Sequence, residues 1–326
     1  MPRFRLRASA AGTAFVSAAL LAVPALASGE EATANAQDAP LIIDTVTVTG
    51  RSPEQAKAFV DQVVDRNKPD EQLARWNRRV CTSVAGMRAD QAQYLADRIA
   101  SYAVQLGLQP EGPGCDPDIL IYVSDDPDAL AKALFDESRS LFAYYSERFI
   151  VTESRADLDA FMTTDRPVRW WRISQEMNDD GRPLQGVAGA VGAVVSKDVG
   201  GPLAISGLDA VAPVSDSPGS RVSLDTREEL FRTIIIVDVN QVKGIPLSAV
   251  ADYLSMVSLA QVSADLETVS QPSILNLFSK SPDVMITHAM TDWDADFLSS
   301  LYSIRANRSA VNQVAAIARN MERTPE

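Results

Sequence analysis

One histidine, His288, stands four residues before Asp292 and six before Asp294, and serines are plentiful, so a Ser-His-Asp relay is the first chemistry to test. A hydrolase of that kind commonly carries its serine on a sharp turn between a strand and a helix, and no Gly-x-Ser-x-Gly is present. Thr291 and Asp294 already have a structural use, because their spacing is that of a helix-capping pair. The other carboxylate placed for chemistry is Asp252. With Ser248 and Ser255 it makes the only consistent polar stripe on the apolar-rich run from 247 to 262. Asp252 and His288 are therefore the catalytic candidates, and Ser248, Asp252 and Ser255 the candidate groove. The competing account of that stripe is a helix edge that meets water.

Other ligand chemistries find less support. Asp125, Asp126 and Asp128 suggest calcium, but Pro127 and the absence of a Glu at the twelfth loop position break that pattern, and capping of a helix at Asp126 explains them better. Gly186, Gly189, Gly192 and Gly200-Gly201 lack the Gly-Lys-Ser/Thr that closes a phosphate loop. Trp170 and Trp171 invite a stacking role. Adjacent tryptophans on a strand more often straddle an edge, one ring in the core and one over a neighbouring surface. No cofactor and no metal ligand set is expected.

The chain must also position these residues in a particular compartment. Arg3, Arg5 and Arg7, the apolar run 14–23 and Ala25-Leu26-Ala27 make residues 1–27 a secretory leader, and Pro24 ends the run short of the roughly 20 apolar residues a span requires. Its removal takes away three arginines and no acid, so the formal charge goes from −13 to −16. A chain so acidic repels phosphate backbones and anionic lipid surfaces, which argues against nucleic acid as a partner. Cys81 and Cys115 are the two cysteines, and in an exported chain they are expected to form one disulfide. A periplasmic or secreted location follows, with no integral membrane span once the leader is cut.

The elements are organised around Arg232-Thr-Ile-Ile-Ile-Val-Asp238, whose consecutive β-branched residues suit a strand covered on both faces. Gly244-Ile245-Pro246 then leads into a central buried helix at about 246–262. Before it come an exposed strand at 41–49, a capped helix from Ser52 with an apolar face of Ala58, Phe59, Val63 and Val64, and a helix from Ala89 ended by Gly107. Strands follow at 118–124 and 167–174. After it, Thr291 opens a helix ending near Tyr302, and the tail from 306 extends as another. Residues 183–222, rich in Gly, Ala, Ser and Pro, form an insertion. The expected class is α/β (α+β), a single domain with a mixed sheet packed against helices. Its boundaries are 28–72 for an N-terminal strand, linker and helix, 73–305 for the domain and 306–326 for a helical tail.

The order of elements carries a resemblance. An apolar strand, a buried helix, Pro272-Ser273-Ile274-Leu275 and then Thr291-Asp-Trp-Asp294 running to Leu301-Tyr302 resembles a group of uncharacterised exported proteobacterial proteins, and more distantly the zincin metallopeptidases, over roughly 73–305. In zincins a His-Glu-x-x-His helix is followed by a Ser-Ile-Met or Ser-Ile-Leu turn and a closing helix. The resemblance implies a zincin-like skeleton, and laid on this chain it puts ligands at Asp252 and Met256 and the base at Tyr253. Zinc hydrolysis requires about three protein ligands and an open position, and one histidine off the helix does not supply them. The expectation is an exported, acidic pseudoenzyme that binds or scaffolds an envelope protein or peptide. A periplasmic hydrolase using Asp252 and His288 is the alternative. Val-Thr-Val-Thr-Gly-Arg at 46–51 also resembles the segment near the energy-coupling box of outer-membrane receptors, which implies accessory work beside such a transporter.

Overall fold

The computed structural model describes residues 51–64, 72–77, 79–142, 154–178, 181 and 224–323. The expected leader, the strand at 41–49, residues 46–50 of the receptor-like motif and the 183–222 insertion lie outside the described residues. All described residues belong to one compact unit.

The organising strand forms as its composition demands and is longer than expected. With the helices and strands numbered in chain order among the described residues, β4 runs Thr226–Asp238. It lies inside a four-stranded sheet ordered β1-β2-β4-β3, where β1 is Thr82–Ala85, β2 Ile119–Ser124 and β3 Val168–Asn178. β1, β2 and β4 are parallel and β3 is antiparallel to β4, so the sheet is mixed. Side chains on a strand alternate between faces. Ile235 and Val237 accordingly enter the larger core and Ile234 and Ile236 a smaller one behind the sheet. β3 is an edge strand, as its tryptophans suggested, but neither ring lies over a surface. Trp170 enters the large core and donates its indole N–H to Val262 O at 3.2 Å. Trp171 enters the small core and donates to Phe142 O at 3.0 Å.

Helices cover both faces. α1, Pro53–Val63, begins in a reciprocal capping box between Ser52 and Gln55 (3.2 and 3.1 Å). Of the expected face, Phe59, Val63 and Val64 are buried in the large core; Ala58 is only half-buried, and Ala56 and Val60 complete the row that meets the core. α2, Ala89–Gln105, buries Leu95, Ile99 and Ala103 and ends at Gly107 with φ +81. There Leu108 N–H returns to Ala103 O at 2.9 Å, the left-handed closure that favours glycine. α3, Pro127–Glu137, and α4, Arg155–Thr163, supply the small core with Ala131, Leu158 and Phe161.

α5, Leu247–Leu259, is buried at every position from Ala249 to Leu259, as the apolar run required. α6, Asp292–Ser303, and α7, Ala310–Arg323, close the large core with Trp293, Phe297, Leu301, Ile317 and Met321. The helices expected as flanks, α1 and α7, thus share that core with the central helix. No helix among the described residues is long and apolar enough to cross a membrane.

Cys81 and Cys115 form a disulfide, with Cα atoms 6.0 Å apart, joining the residue before β1 to the loop that precedes β2. The bridge closes a loop over a separation of 34 residues. Cys81→Ala with Cys115→Ala is expected to lower the unfolding free energy by about 3 to 4 kcal/mol on the loop-entropy account. Urea unfolding of the oxidised protein against the double variant measures this, and coincident curves would refute it.

Candidate functional site

A carboxylate within a helix buried from Ala249 to Leu259 must find its partners inside the protein, since an unpaired buried charge costs several kcal/mol. Asp252, 1 % exposed on α5, finds four donors. Arg98 reaches it from α2 with Nε at 2.6 Å and Nη2 at 3.2 Å, a bidentate fork. Tyr102, one helical turn further along α2, donates its phenol at 3.1 Å. The backbone N–H of Met290 donates at 2.9 Å from the loop before α6. Arg98 also donates through Nη2 to the Tyr102 phenol oxygen Oη at 2.9 Å and lies 4.8 Å from its ring centroid. The three side chains form one closed unit that fastens α2, α5 and the 285–290 loop together.

The electrostatics agree with that geometry. The hydrogen bond to Asp252 raises the Arg98 pKa above its ordinary value. Burial, then the charge of Asp252, pushes the Tyr102 phenol up to about 12. A phenol held protonated in this way is a donor and a poor base near neutral pH.

The expected polar stripe is divided. Ser248 is exposed, while Asp252 and Ser255 are buried, and Ser255 spends its hydroxyl on Ala251 O at 2.7 Å. Only its Ser248 end meets water; Asp252 is covered by Arg98 and Tyr102 of α2. At the positions aligned with the zincin motif, Tyr253 packs its ring against Trp170 and Phe278, and burial pushes its phenol up. Met256 is wholly buried in the large core. Asp252 faces a guanidinium, so these residues do not fit a zinc ion. Among the described residues no three His, Cys, Asp or Glu side chains come together as a possible metal cage.

His288 is exposed in the loop that carries Met290, and it makes no hydrogen bond or ion pair among the described residues. Asp292 is exposed, but Asp294 is wholly buried. Asp294 caps α6 together with Thr291, as its spacing announced, with Thr291 N–H at 2.9 Å and the Thr291 hydroxyl at 2.7 Å. It also accepts from the Ser273 hydroxyl and from Ile274 N–H at 2.8 Å, which ties the Ser-Ile-Leu turn to α6. Burial holds its carboxyl above its ordinary value, and these four hydrogen bonds offset only part of that rise. The acidic group near 126 is accounted for: Asp126 caps α3 through Ala129 N–H at 3.0 Å, and Asp128 pairs with Arg169 at 2.9 Å.

Arg98 and Tyr102 were missed from the sequence. Their only signal was an i, i+4 arginine–tyrosine pair on a helix whose apolar face includes Leu95 and Ile99. No family profile, no curated protein and no solved structure matches this chain.

Asp252→Ala should lower stability by about 2 to 3 kcal/mol, less than a fully enclosed pair would lose, because Arg98 retains access to water. Chemical denaturation measures it, and a loss below about 0.5 kcal/mol would show that the unit holds nothing together. Tyr102 gives a second handle. An acid whose folded pKa lies above its unfolded one contributes stability that is lost as pH rises from the unfolded to the folded value. Between pH about 10 and about 12 the wild type should lose stability more steeply than Tyr102→Phe. Parallel slopes would place the phenol in water.

Proposed function

We propose that this chain is an exported envelope protein that works by binding or scaffolding, on a zincin-like skeleton from which the zinc chemistry is gone. The carrying observation is the engagement of Asp252. The central-helix carboxylate that the resemblance aligns with a metal ligand is bonded to Arg98, Tyr102 and Met290 N–H. A cation already stands against it, and four donors occupy its oxygens. The mixed sheet, the helix buried along its length and the Asp294 tie to the Ser-Ile-Leu turn are compatible with the skeleton.

Export rests on the leader-like residues 1–27, and the acidic charge disfavours nucleic acid as a partner. The partner is an envelope protein or peptide; the motif at 46–51 points toward a receptor-associated one.

One observation favours a hydrolase instead. Met290 brings the loop of His288 against Asp252. A single pair of measurements separates the two. Protein purified from the envelope without added metal should carry well under one equivalent of zinc per chain by elemental analysis. Asp252→Ala should change its melting temperature without removing any hydrolytic activity toward casein or a general ester. Zinc near one equivalent that Asp252→Ala removes, or an activity that disappears while the variant remains folded, would overturn the binding proposal.

A further inference from the structure

β1 is the outer strand of the sheet, and its free side faces a groove of about 610 Å3 walled by α2 and by the disulfide-braced loop before β2. Backbone groups on a strand point alternately to its two sides. Cys81 O accepts from Asp118 and Ile119 N–H, both at 2.9 Å, so the groups of Cys81 point toward β2. Those of Val80 point the other way: its N–H goes to Gln109 O at 3.2 Å, and its carbonyl accepts from Glu111 N–H at 2.9 Å. By the same alternation Thr82 and Val84 present their N–H and C=O into the groove. Among the described residues nothing bonds to them there. The loop thus continues the sheet by one bridge at Val80 and stops.

The far wall is low where those groups are open. Ala92 and Ala96 of α2 line it and are half-buried. Among the described residues two charged side chains line the groove, and both are acidic: Asp97 and Glu111. Asp97 is exposed and accepts from the neutral Gln93 amide at 2.7 Å, so its charge is not cancelled. Glu111 has a loose contact with Arg79 at 3.4 Å on the exposed surface, a weak pairing.

We propose that this groove takes an extended, basic segment of a partner polypeptide as an added strand on β1. The open backbone groups of Thr82 and Val84 ask for another backbone. The alanines of α2 leave room for alternate side chains, and Asp97 and Glu111 select a lysine or arginine among them. This rests on the binding role proposed above and names its partner class. It does not depend on Asp252, so zinc found on the central helix would overturn the former proposal and leave this one standing.

The test is selection of a phage-displayed random decapeptide library on the full, oxidised protein, counter-selected on Val84→Pro. Proline there removes a groove-facing N–H and none of the bonds to β2. Selected peptides should be rich in β-branched residues with at least one Lys or Arg. A synthetic copy should bind Val84→Pro about tenfold more weakly. It should bind Asp97→Lys about fivefold more weakly, and it should slow amide exchange at Thr82 and Val84. No enrichment over the counter-selection, or a selected peptide that binds folded Val84→Pro and Asp97→Lys as well as wild type, overturns the proposal. If Val84→Pro does not fold, counter-selection on Asp97→Lys and the exchange at Thr82 and Val84 decide it alone, and unprotected amides overturn it.

Discussion

A strand with apolar side chains on both faces cannot border water on either, and that constraint at β4 dictates the rest of the architecture. Ile235 and Val237 require one helical layer, Ile234 and Ile236 another. The first is met by α5, with α1, α2, α6 and α7 around it, and the second by α3 and α4 with Phe142. Parallel pairing of β1 and β2 beside β4 obliges the chain to cross over between them through helices, which places α2 where it can lie on α5. Once α2 lies there, any polar group on that side of α5 loses its water.

Asp252 is the outcome of that enclosure. A charge inside an apolar layer is tolerated only with a counter-charge and filled hydrogen-bonding capacity, and both come from a single neighbouring helix turn, Arg98 to Tyr102, plus one loop amide. The arrangement sets the rotation of α2 about its axis and fixes the loop that carries Met290. Asp294 does similar work on the other side of that loop, binding the turn at Ser273 to the start of α6. Each buried carboxylate joins segments that the chain order leaves apart.

Local signals were legible in proportion to how local their physics is. The capping boxes at Ser52 and Thr291, the cap at Asp126 and the left-handed turn at Gly107 depend on three or four consecutive residues, and the chain states them openly. The apolar density of 247–262 announced a buried helix for the same reason, and the helix itself stops at Leu259. What could not be read was pairing at long range. Asp252 looked like a groove residue because nothing within its own helix says that Arg98, 154 positions earlier, will cover it. The tie between Asp294 and Ser273 is hidden likewise, since capping already explained Asp294. β3 and β4 extend beyond their β-branched centres into polar residues because they support each other as an antiparallel pair, past a bulge at Ile173/Ser174.

The two hydrophobic layers are unequal. The one behind the sheet, built on Phe142, Phe161 and Trp171, contains far fewer buried side chains than the one around α5. Less apolar area means a smaller free energy of opening for that layer, so α3 and α4 form the weaker cooperative unit of the molecule. Fluctuations that lift them away leave the α2–α5 carboxylate clamp and the disulfide intact. A partly open form of this protein would therefore still carry its β1 edge and the loop beside it in native geometry, and would lose first the packing around Trp171.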